Sequence, residues 1–350
     1  MNELQYYSAD YEEARTRFLQ LAGHKGAELH ALPVSEKEAL FIDVALWRGR
    51  KDTLILHSSG IHGVEAFPGA AVQCAFVDAL ERDQLQDKTL ALIHCVNPYG
   101  MKYLRRWNTE NIDLNRNFID LLDVLPKNPK YEKVSAVLNP QHPHQLKGFY
   151  GKAFWLLLQY GFSALQQAIA QGQYAYPEGI FYGGSSPAAE VKLILDFFKN
   201  HLTSYQHILG IDFHTGLGKY KQSSYFLESN FSPHEKKYME NALKASVIHV
   251  AHGKRQTYQT QGGFISRLKK LYNDKNFVMV TQEIGTVRPI KIIKALREEN
   301  FYEQHASAQR KPAAHRLKAA FCPEDDDWKT TAVREGVRAL SQILAHSFSP

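Results

Sequence analysis

His62 and Glu65 lie three residues apart on a turn that directly follows the apolar run 53–56. An imidazole and a carboxylate at this spacing can point at a common centre, which suits a divalent metal with an open coordination position. A chain with 16 His and 36 acidic residues contains such pairs by chance. The pair therefore predicts a catalytic zinc only if the sequence also supplies a third ligand, a base and cationic groups.

The elements around this pair predict a corner between a strand and a helix. The run 53–56 is short, β-branched at its start and bounded by Gly60, which is typical of a buried strand. Pro68 and the helical spacing of the apolar residues after it predict a helix from about 67 to 82. In an open α/β sheet, ligands bind in the crevice beyond the carboxyl ends of the strands. The corner would therefore deliver His62 to such a crevice.

Three later apolar runs, at 90–96, 208–213 and 277–282, are also predicted to be strands. The second is followed directly by His214 and the third by Glu283. If these strands are parallel, their carboxyl ends share one edge of the sheet, so that chemically useful side chains would gather there.

These motifs together resemble those of the zinc carboxypeptidases of the carboxypeptidase A type, and more closely an uncharacterised bacterial branch of that superfamily. The resemblance covers about 53–287. G-I-H-G-V-E is similar to the family's first metal motif and F-H-T to its second, which implies that His62, Glu65 and His214 hold one Zn²⁺ per chain. T-Q-E-I-G-T resembles the strand end that carries the general base, which implies that role for Glu283.

The same resemblance implies a set of substrate-binding residues. N-P-Y-G is similar to the family's N-P-D-G, and Arg106 falls where an arginine polarises the scissile carbonyl, although the adjacent Arg105 remains an alternative. I-D-L-N-R-N-F resembles the pattern whose Asn-Arg pair binds the substrate's terminal carboxylate, here Asn115 and Arg116.

Two further positions follow from the segment 258–265. Tyr258 begins a sequence that looks like the mobile tyrosine loop of digestive members, and Ile265 stands where the family has a residue at the base of the specificity pocket. Burying a cation beside an apolar side chain is costly, so Ile265 predicts a preference for a C-terminal Phe or Leu over Lys. One departure is that Thr-Gly follows His214 in place of the Ser-Tyr of digestive enzymes.

The predicted fold class is α/β, with a mixed, largely parallel central sheet flanked by helices. The whole chain, 1–350, is predicted to form a single zinc carboxypeptidase-like domain with an excursion from the sheet at about 121–186. Within the excursion, the pattern predicts a helical stretch from about 151 to 171. Its aromatic residues at helical spacing are predicted to be core; they are Phe149, Tyr150, Phe154 and Trp155.

Composition excludes several functional classes. The net charge is +6, but Lys and Arg are scattered, so no nucleic-acid partner is expected, although a basic surface favours anionic substrates. No apolar stretch approaches the ~18 residues that span a bilayer, and residues 1–17 contain no apolar signal-peptide core. We therefore expect no membrane partner and a cytoplasmic location. The three cysteines are predicted to be buried free thiols. Oligomeric state is not indicated.

Three functions are compatible with these motifs. The first is a metallocarboxypeptidase that acts on small peptides. The second keeps the same zinc site but hydrolyses N-acyl amino acids, as the aspartoacylase-like relatives do. The third is a catalytically silent zinc-binding module, which the retained Glu283 disfavours because such a module needs no base.

Overall fold

The computed structural model describes residues 2–120, 124–249 and 262–346. Over these residues the protein has a central sheet of eight strands: β1 (Glu28–Ser35), β2 (Leu40–Trp47), β3 (Thr53–Ser59), β4 (Thr89–His94), β5 (His207–Gly216), β6 (Ser223–Leu227), β7 (Val247–His249) and β8 (Asn276–Gly285). Their order across the sheet is β1-β2-β4-β3-β5-β8-β6-β7.

The four central strands β4, β3, β5 and β8 run parallel to one another. Antiparallel pairs join β1 to β2, β2 to β4 and β6 to β8. Every residue of β3 and β4 is buried, as expected for parallel strands that are covered on both faces. The sheet is thus mixed and largely parallel, and the predicted fold class is confirmed.

Thirteen helices are present in the described ranges. They are α1 (Tyr11–His24), α2 (Ala66–Ala79), α3 (Pro98–Lys102), α4 (Pro129–Leu138), α5 (Pro143–Leu146), α6 (Phe149–Tyr160), α7 (Phe162–Ala170), α8 (Ala189–His201), α9 (Pro233–Leu243), α10 (Phe264–Leu271), α11 (Pro289–Gln304), α12 (Arg310–Phe321) and α13 (Asp326–Ala345). Helix α2, which follows the metal-motif turn, packs against α1 and α13. None of the helices within the described residues is both long and apolar enough to cross a bilayer.

The predicted strands and the helix predicted from about 67 to 82 are confirmed. The stretch 151–171 is not one helix, because Gly161 adopts φ 75° and separates α6 from α7. The sequence also predicts a helix from about 232 to 249, but α9 ends at Leu243, since Lys244 takes a left-handed φ of 49°, and Val247–His249 then forms β7. The three cysteines are buried and free, as predicted.

The described part of the excursion, 124–186, supplies the four helices α4 to α7. Side chains of α4, α6 and α7 form a hydrophobic cluster with side chains of α11 and α12, separate from the main core. Phe149 is buried, as predicted, but Tyr150, Phe154 and Trp155 are exposed, so the prediction that they belong to the core is wrong. Helical spacing predicted that these residues share a helix, but it could not show which face of that helix lacks packing neighbours.

Candidate metal centre and active site

The turn after β3 directs the first two candidate ligands toward the sheet edge. Gly60 adopts φ 72°, and a Cβ at this position would lie 2.6 Å from the Ala66 Cβ, so the tight corner requires glycine. His62 follows in extended conformation, and the short 3₁₀ turn Gly63–Glu65 leads into α2. Because β5 is the parallel neighbour of β3, His214 near its carboxyl end reaches the same edge.

The three candidate ligands meet in a buried cluster. Glu65 Oε1 lies 2.8 Å from His62 Nδ1, and Glu65 Oε2 lies 3.1 Å from His214 Nδ1. One donor atom from each residue falls within 4.8 Å of the others. Two imidazole nitrogens and one carboxylate oxygen form a donor set that zinc accepts in catalytic sites, where a fourth position stays open. The residues present therefore fit a zinc ion.

Each imidazole has an aspartate near its Nε2 atom. His214 Nε2 lies 2.6 Å from Asp212 Oδ2, and His62 Nε2 lies 3.2 Å from Asp113 Oδ1. Each imidazole thus has a carboxylate at Nε2 and turns Nδ1 toward Glu65. Metal-binding histidines have this arrangement. It fixes the tautomer of His214, whereas His62 Nε2 also lies 2.7 Å from Arg106 Nη2. Neither aspartate was predicted as a site residue, although Asp212 could have been found as the residue two before His214 on the same face of a strand.

The charges of the cluster are strongly coupled. Burial alone would raise the pKa of Glu65, but His62 and His214 outweigh burial and hold that pKa well below its usual range. Burial would lower the pKa of His214, but Asp212 and Glu65 raise it well above its ordinary value. Burial likewise opposes ionisation of Asp113, yet the neighbouring arginines depress its pKa. The buried carboxylates of the cluster are therefore stabilised by the neighbouring imidazole and guanidinium groups.

Of the two adjacent arginines, the structure brings Arg106 to the cluster. Its Nη1 donates to Glu65 Oε1 at 3.2 Å and its Nε donates to Asp113 Oδ2 at 3.2 Å. Arg105 turns away and donates from Nε to Glu299 Oε1 at 2.7 Å. The alternative that Arg105 polarises the substrate carbonyl thus has no geometric support.

The N-P-Y-G motif contributes to the position of Arg106 through Asn97. The Asn97 side-chain amide donates to the Arg106 carbonyl at 3.0 Å, and the Asn97 backbone N–H donates to the Gly60 carbonyl at 2.8 Å. The Gly63 backbone N–H donates to the same Arg106 carbonyl at 3.2 Å. Backbone and side-chain hydrogen bonds therefore join this loop to the metal-motif turn.

Asn115 and Arg116 lie on the short 3₁₀ turn Leu114–Arg116 beside the cluster. Arg116 Nη1 donates to Asp113 Oδ2 at 2.6 Å, and its guanidinium carbon lies 5.3 Å from the centre of the Phe181 ring. The Asn115 side-chain oxygen accepts from the Phe264 backbone N–H at 3.1 Å. Asp113 thus links the predicted carboxylate-binding arginine to the metal cluster.

Glu283 lies directly across the sheet from a candidate ligand, because it is paired with His214 in the register of β5 and β8. Its Oε2 accepts from the Leu217 backbone N–H at 3.2 Å. Burial raises the pKa of Glu283 to about 8, although the charge of His214 opposes the increase. Its position beside the candidate ligands, in the same cavity, suits a group that exchanges a proton with water or substrate.

One cavity of about 640 Å³ contacts seven of the predicted site residues. They are His62, Glu65, Arg106, Asn115, Arg116, His214 and Glu283. Tyr258 lies outside the described residues. Ile265 is described, but its side chain is 3% exposed and packs in the main core without lining the cavity. The predicted preference for an apolar terminal residue therefore has no support from the position of Ile265.

The cavity wall near Ile265 is instead polar. Ser266, the next residue of α10, lines the cavity and its hydroxyl bonds to the carboxylate of Glu228, which also lines it. Burial raises the pKa of Glu228 to about 7. The sequence analysis missed Glu228 because it had not predicted β6, the strand that ends one residue earlier.

Comparison with known proteins identifies the family of this chain. The family model described as "Protein of unknown function (DUF2817)" matches residues 7–335. The chain belongs to this family. No curated protein matches the sequence of this DUF2817 chain.

Solved structures support the fold of the DUF2817 chain. Bovine thrombin-activatable fibrinolysis inhibitor, in complex with tick carboxypeptidase inhibitor, matches with a TM-score of 0.54 and 14% identity over 97% of each chain. A candidate metallopeptidase of Shewanella denitrificans OS217 matches at 0.51 and 14% over 96% of this chain and 90% of the other. One from Shewanella baltica OS155 matches at 0.50 and 14% over 96% and 92%. At these identities the likeness shows the fold alone, and it confirms the resemblance to the zinc carboxypeptidases at that level.

Proposed function

We propose that this protein is a zinc-dependent hydrolase that cleaves an amide bond next to a free carboxylate, as a metallocarboxypeptidase does with peptides. The observation that carries the proposal is the meeting in one cavity of a zinc-compatible cluster, a buried carboxyl group and a guanidinium group. These are the ligands His62, Glu65 and His214, the base Glu283 and the cation Arg116.

The ligands, base and cations have complementary chemical roles. His62, Glu65 and His214 would hold zinc through two neutral imidazoles and one carboxylate, leaving a net charge near +1, and the ion would supply a Lewis acid able to lower the pKa of water to about 7. Glu283 takes a proton from the attacking water and passes it to the leaving amine, a contribution typically worth ~10²–10⁴ in rate. The Arg106 guanidinium lies beside the candidate ligand Glu65. It is therefore positioned to donate to the oxyanion that develops on the substrate carbonyl.

Recognition of the carboxylate rests on Arg116 and Asn115. A guanidinium binds a carboxylate through two parallel hydrogen bonds, which an ammonium group cannot reproduce. The Asn115 oxygen is engaged by the Phe264 backbone, which orients its amide group at the cavity wall. A substrate with a free carboxylate next to the scissile amide satisfies both side chains.

A second candidate, hydrolysis of N-acyl amino acids, uses the same residues. Its support is the cavity lining, which is predominantly apolar beyond the catalytic residues and so suits an acyl group without a peptide backbone. A catalytically silent zinc-binding module is disfavoured by the position of Glu283 opposite His214.

An assay panel tests the proposal. Zinc-loaded protein is incubated with short peptides and with N-acyl amino acids, each supplied with a free and with an amidated carboxylate, and released amine is measured. We expect turnover of the free carboxylates, with Glu283→Gln as the inactive control. Failure of zinc-loaded wild type on both substrate classes would overturn the proposed function and leave the silent module.

A further inference from the structure

The lining of the cavity divides into two parts with opposite chemistry. On the side of β6, β8 and α10 it is mostly polar, with Glu228, Asn230, Ser266 and Thr281 beside the apolar Phe226. On the other side, the lining comes from α4, α6 and α7 of the excursion and from α11. We call this second part the apolar arm. Tyr150 and Gln166 carry the polar side-chain atoms that the described excursion helices give to the lining, and none of these helices contributes a charged side chain to it.

The two parts belong to different regions of the fold. Val134 and Leu156, in the apolar arm, pack in the hydrophobic cluster that joins the excursion to α11 and α12. Leu227 and Ile265, beside the polar part, pack in the main core. Arg106 lines the same cavity and donates hydrogen bonds to Glu65 and Asp113, so both parts share one cavity with the candidate metal ligands. A substrate held at the cluster can therefore extend separate groups into the two parts.

Helix α6 carries exposed apolar side chains, and only some of them line the cavity. Phe154 and Leu157 line the cavity, yet they remain 61% and 38% exposed. Trp155 and Leu158, on the same helix, are 59% and 71% exposed but do not line it. Apolar side chains that are exposed along a cavity gain free energy when an apolar group covers them, whereas they offer no hydrogen bonds to a polar chain.

We propose that the apolar arm binds the acyl half of the substrate, and that this half carries an elongated apolar chain. This inference rests on the proposed function. Arg116, Asn115 and the polar part of the cavity then take the half that carries the carboxylate. The same apolar chemistry occurs in a fatty acyl chain and in the apolar side chains of a peptide, so the substrate classes are N-(long-chain acyl) amino acids and peptides with apolar residues before the scissile bond.

The first test varies one half of the substrate at a time. N-acyl glycines from acetyl to decanoyl, kept below their micelle concentrations, are titrated calorimetrically into the inactive Glu283→Gln variant and assayed with the wild type. Each methylene that enters the arm strengthens binding by up to about four-fold. We expect kcat/KM and affinity to rise by at least about 100-fold between acetyl and octanoyl. A parallel series of Leu-Leu-Gly and Ser-Ser-Gly peptides distinguishes a peptide from a fatty acyl source.

The second test uses matched variants on one helix. Leu157→Gln should lower kcat/KM for decanoyl glycine by at least about 10-fold relative to the wild type and should reduce the ratio of kcat/KM between decanoyl and acetyl glycine. Leu158→Gln, one residue away and outside the cavity, should behave as the wild type. Phe154→Ser, which changes a cavity-lining residue, and Trp155→Ser, which changes a residue outside the cavity, form a second such pair.

The outcomes separate the two levels of inference. Turnover or binding without dependence on acyl length, or equal effects of Leu157→Gln and Leu158→Gln, overturns the apolar arm but not the hydrolase. A dependence on the length of the amino-acid side chain in place of the acyl chain also overturns it. Loss of turnover with every substrate, while binding still rises with acyl length, overturns the hydrolase but supports the arm.

Discussion

Asp212 and His214 lie on the same face of β5, two residues apart, and Asp212 Oδ2 lies 2.6 Å from His214 Nε2. The other oxygen of Asp212 accepts from the Ser58 hydroxyl at 2.6 Å on the neighbouring strand β3. The sheet itself therefore fixes the carboxylate that orients a candidate metal ligand. The imidazole cannot rotate without breaking this contact.

We expect Asp212→Asn to weaken zinc binding by about 10- to 100-fold, because an amide no longer fixes the tautomer of His214 or raises its basicity. Zinc affinity measured by competition with a chelator checks this. Asp274→Asn, on an exposed turn, is the matched control and should leave affinity unchanged. Equal zinc affinity in Asp212→Asn and the wild type would show that the contact does not position the ligand.

Zinc binding should release protons and should weaken as pH falls. Asp212 and Glu65 outweigh burial and raise the pKa of His214 well above its ordinary value, which favours the protonated imidazole. Zinc needs the neutral imidazole and must displace that proton. Below the raised pKa, each step down in pH therefore lowers zinc affinity. Calorimetry in two buffers of different ionisation enthalpy counts the protons, and absence of release at pH 7 would contradict this charge state.

Glu283→Gln should retain zinc and lose at least ~10² in the rate of hydrolysis, because glutamine preserves shape but cannot take a proton. Zinc content and kcat are measured on the same preparation. A rate near that of the wild type would mean that another carboxyl group serves as base.

Arg116→Lys should separate charge from geometry in carboxylate recognition. The wild type should prefer a free over an amidated carboxylate by ~10-fold or more, given about 1.5–3 kcal/mol for a charged hydrogen bond. Lysine keeps the charge beside Asp113 but loses the two-pronged contact. We expect KM for the free carboxylate to rise and the preference to shrink in Arg116→Lys, and Arg116→Ala to abolish it. Equal turnover of free and amidated substrates by the wild type would contradict carboxylate recognition.

Glu228 should make the polar part of the cavity favour a cationic substrate side chain. Burial raises the pKa of Glu228 to about 7, so its carboxyl group is neutral below and charged above that pH. Preference for a C-terminal Lys over Leu should therefore increase between pH 6 and pH 8, and Glu228→Gln should remove the increase. The ratio of kcat/KM for the two substrates is the readout. A ratio that does not change with pH in the wild type would contradict this role.

The metal cluster could be predicted from sequence because its residues follow strongly patterned buried strands. Those strands are parallel neighbours, so their order along the chain already implied a shared edge for His62, His214 and Glu283. The strand pattern predicted that residues near these carboxyl ends gather, and the resemblance to the zinc carboxypeptidases implied which of them are the ligands and the base.

The cavity walls could not be predicted in the same way. Strand β6 is only five residues long and half-buried at three of its positions, so its pattern was too weak to identify Glu228 as a wall residue. Ile265 was assigned by counting from Tyr258, but the phase of α10 turns Ile265 into the core and Ser266 to the cavity. Helical spacing placed Phe154 correctly on a helix, yet its exposure depends on tertiary neighbours that no local pattern encodes.

Zinc content after reconstitution is the most direct check that His62 and His214 belong to a zinc site. Purified protein is stripped with a chelator, exposed to excess zinc, dialysed and analysed for metal. The account predicts about one zinc per chain in the wild type, as expected for a site with three protein ligands, and almost none in His62→Ala or His214→Ala. A wild type that retains no zinc, or alanine variants that retain as much zinc as the wild type, would contradict the account.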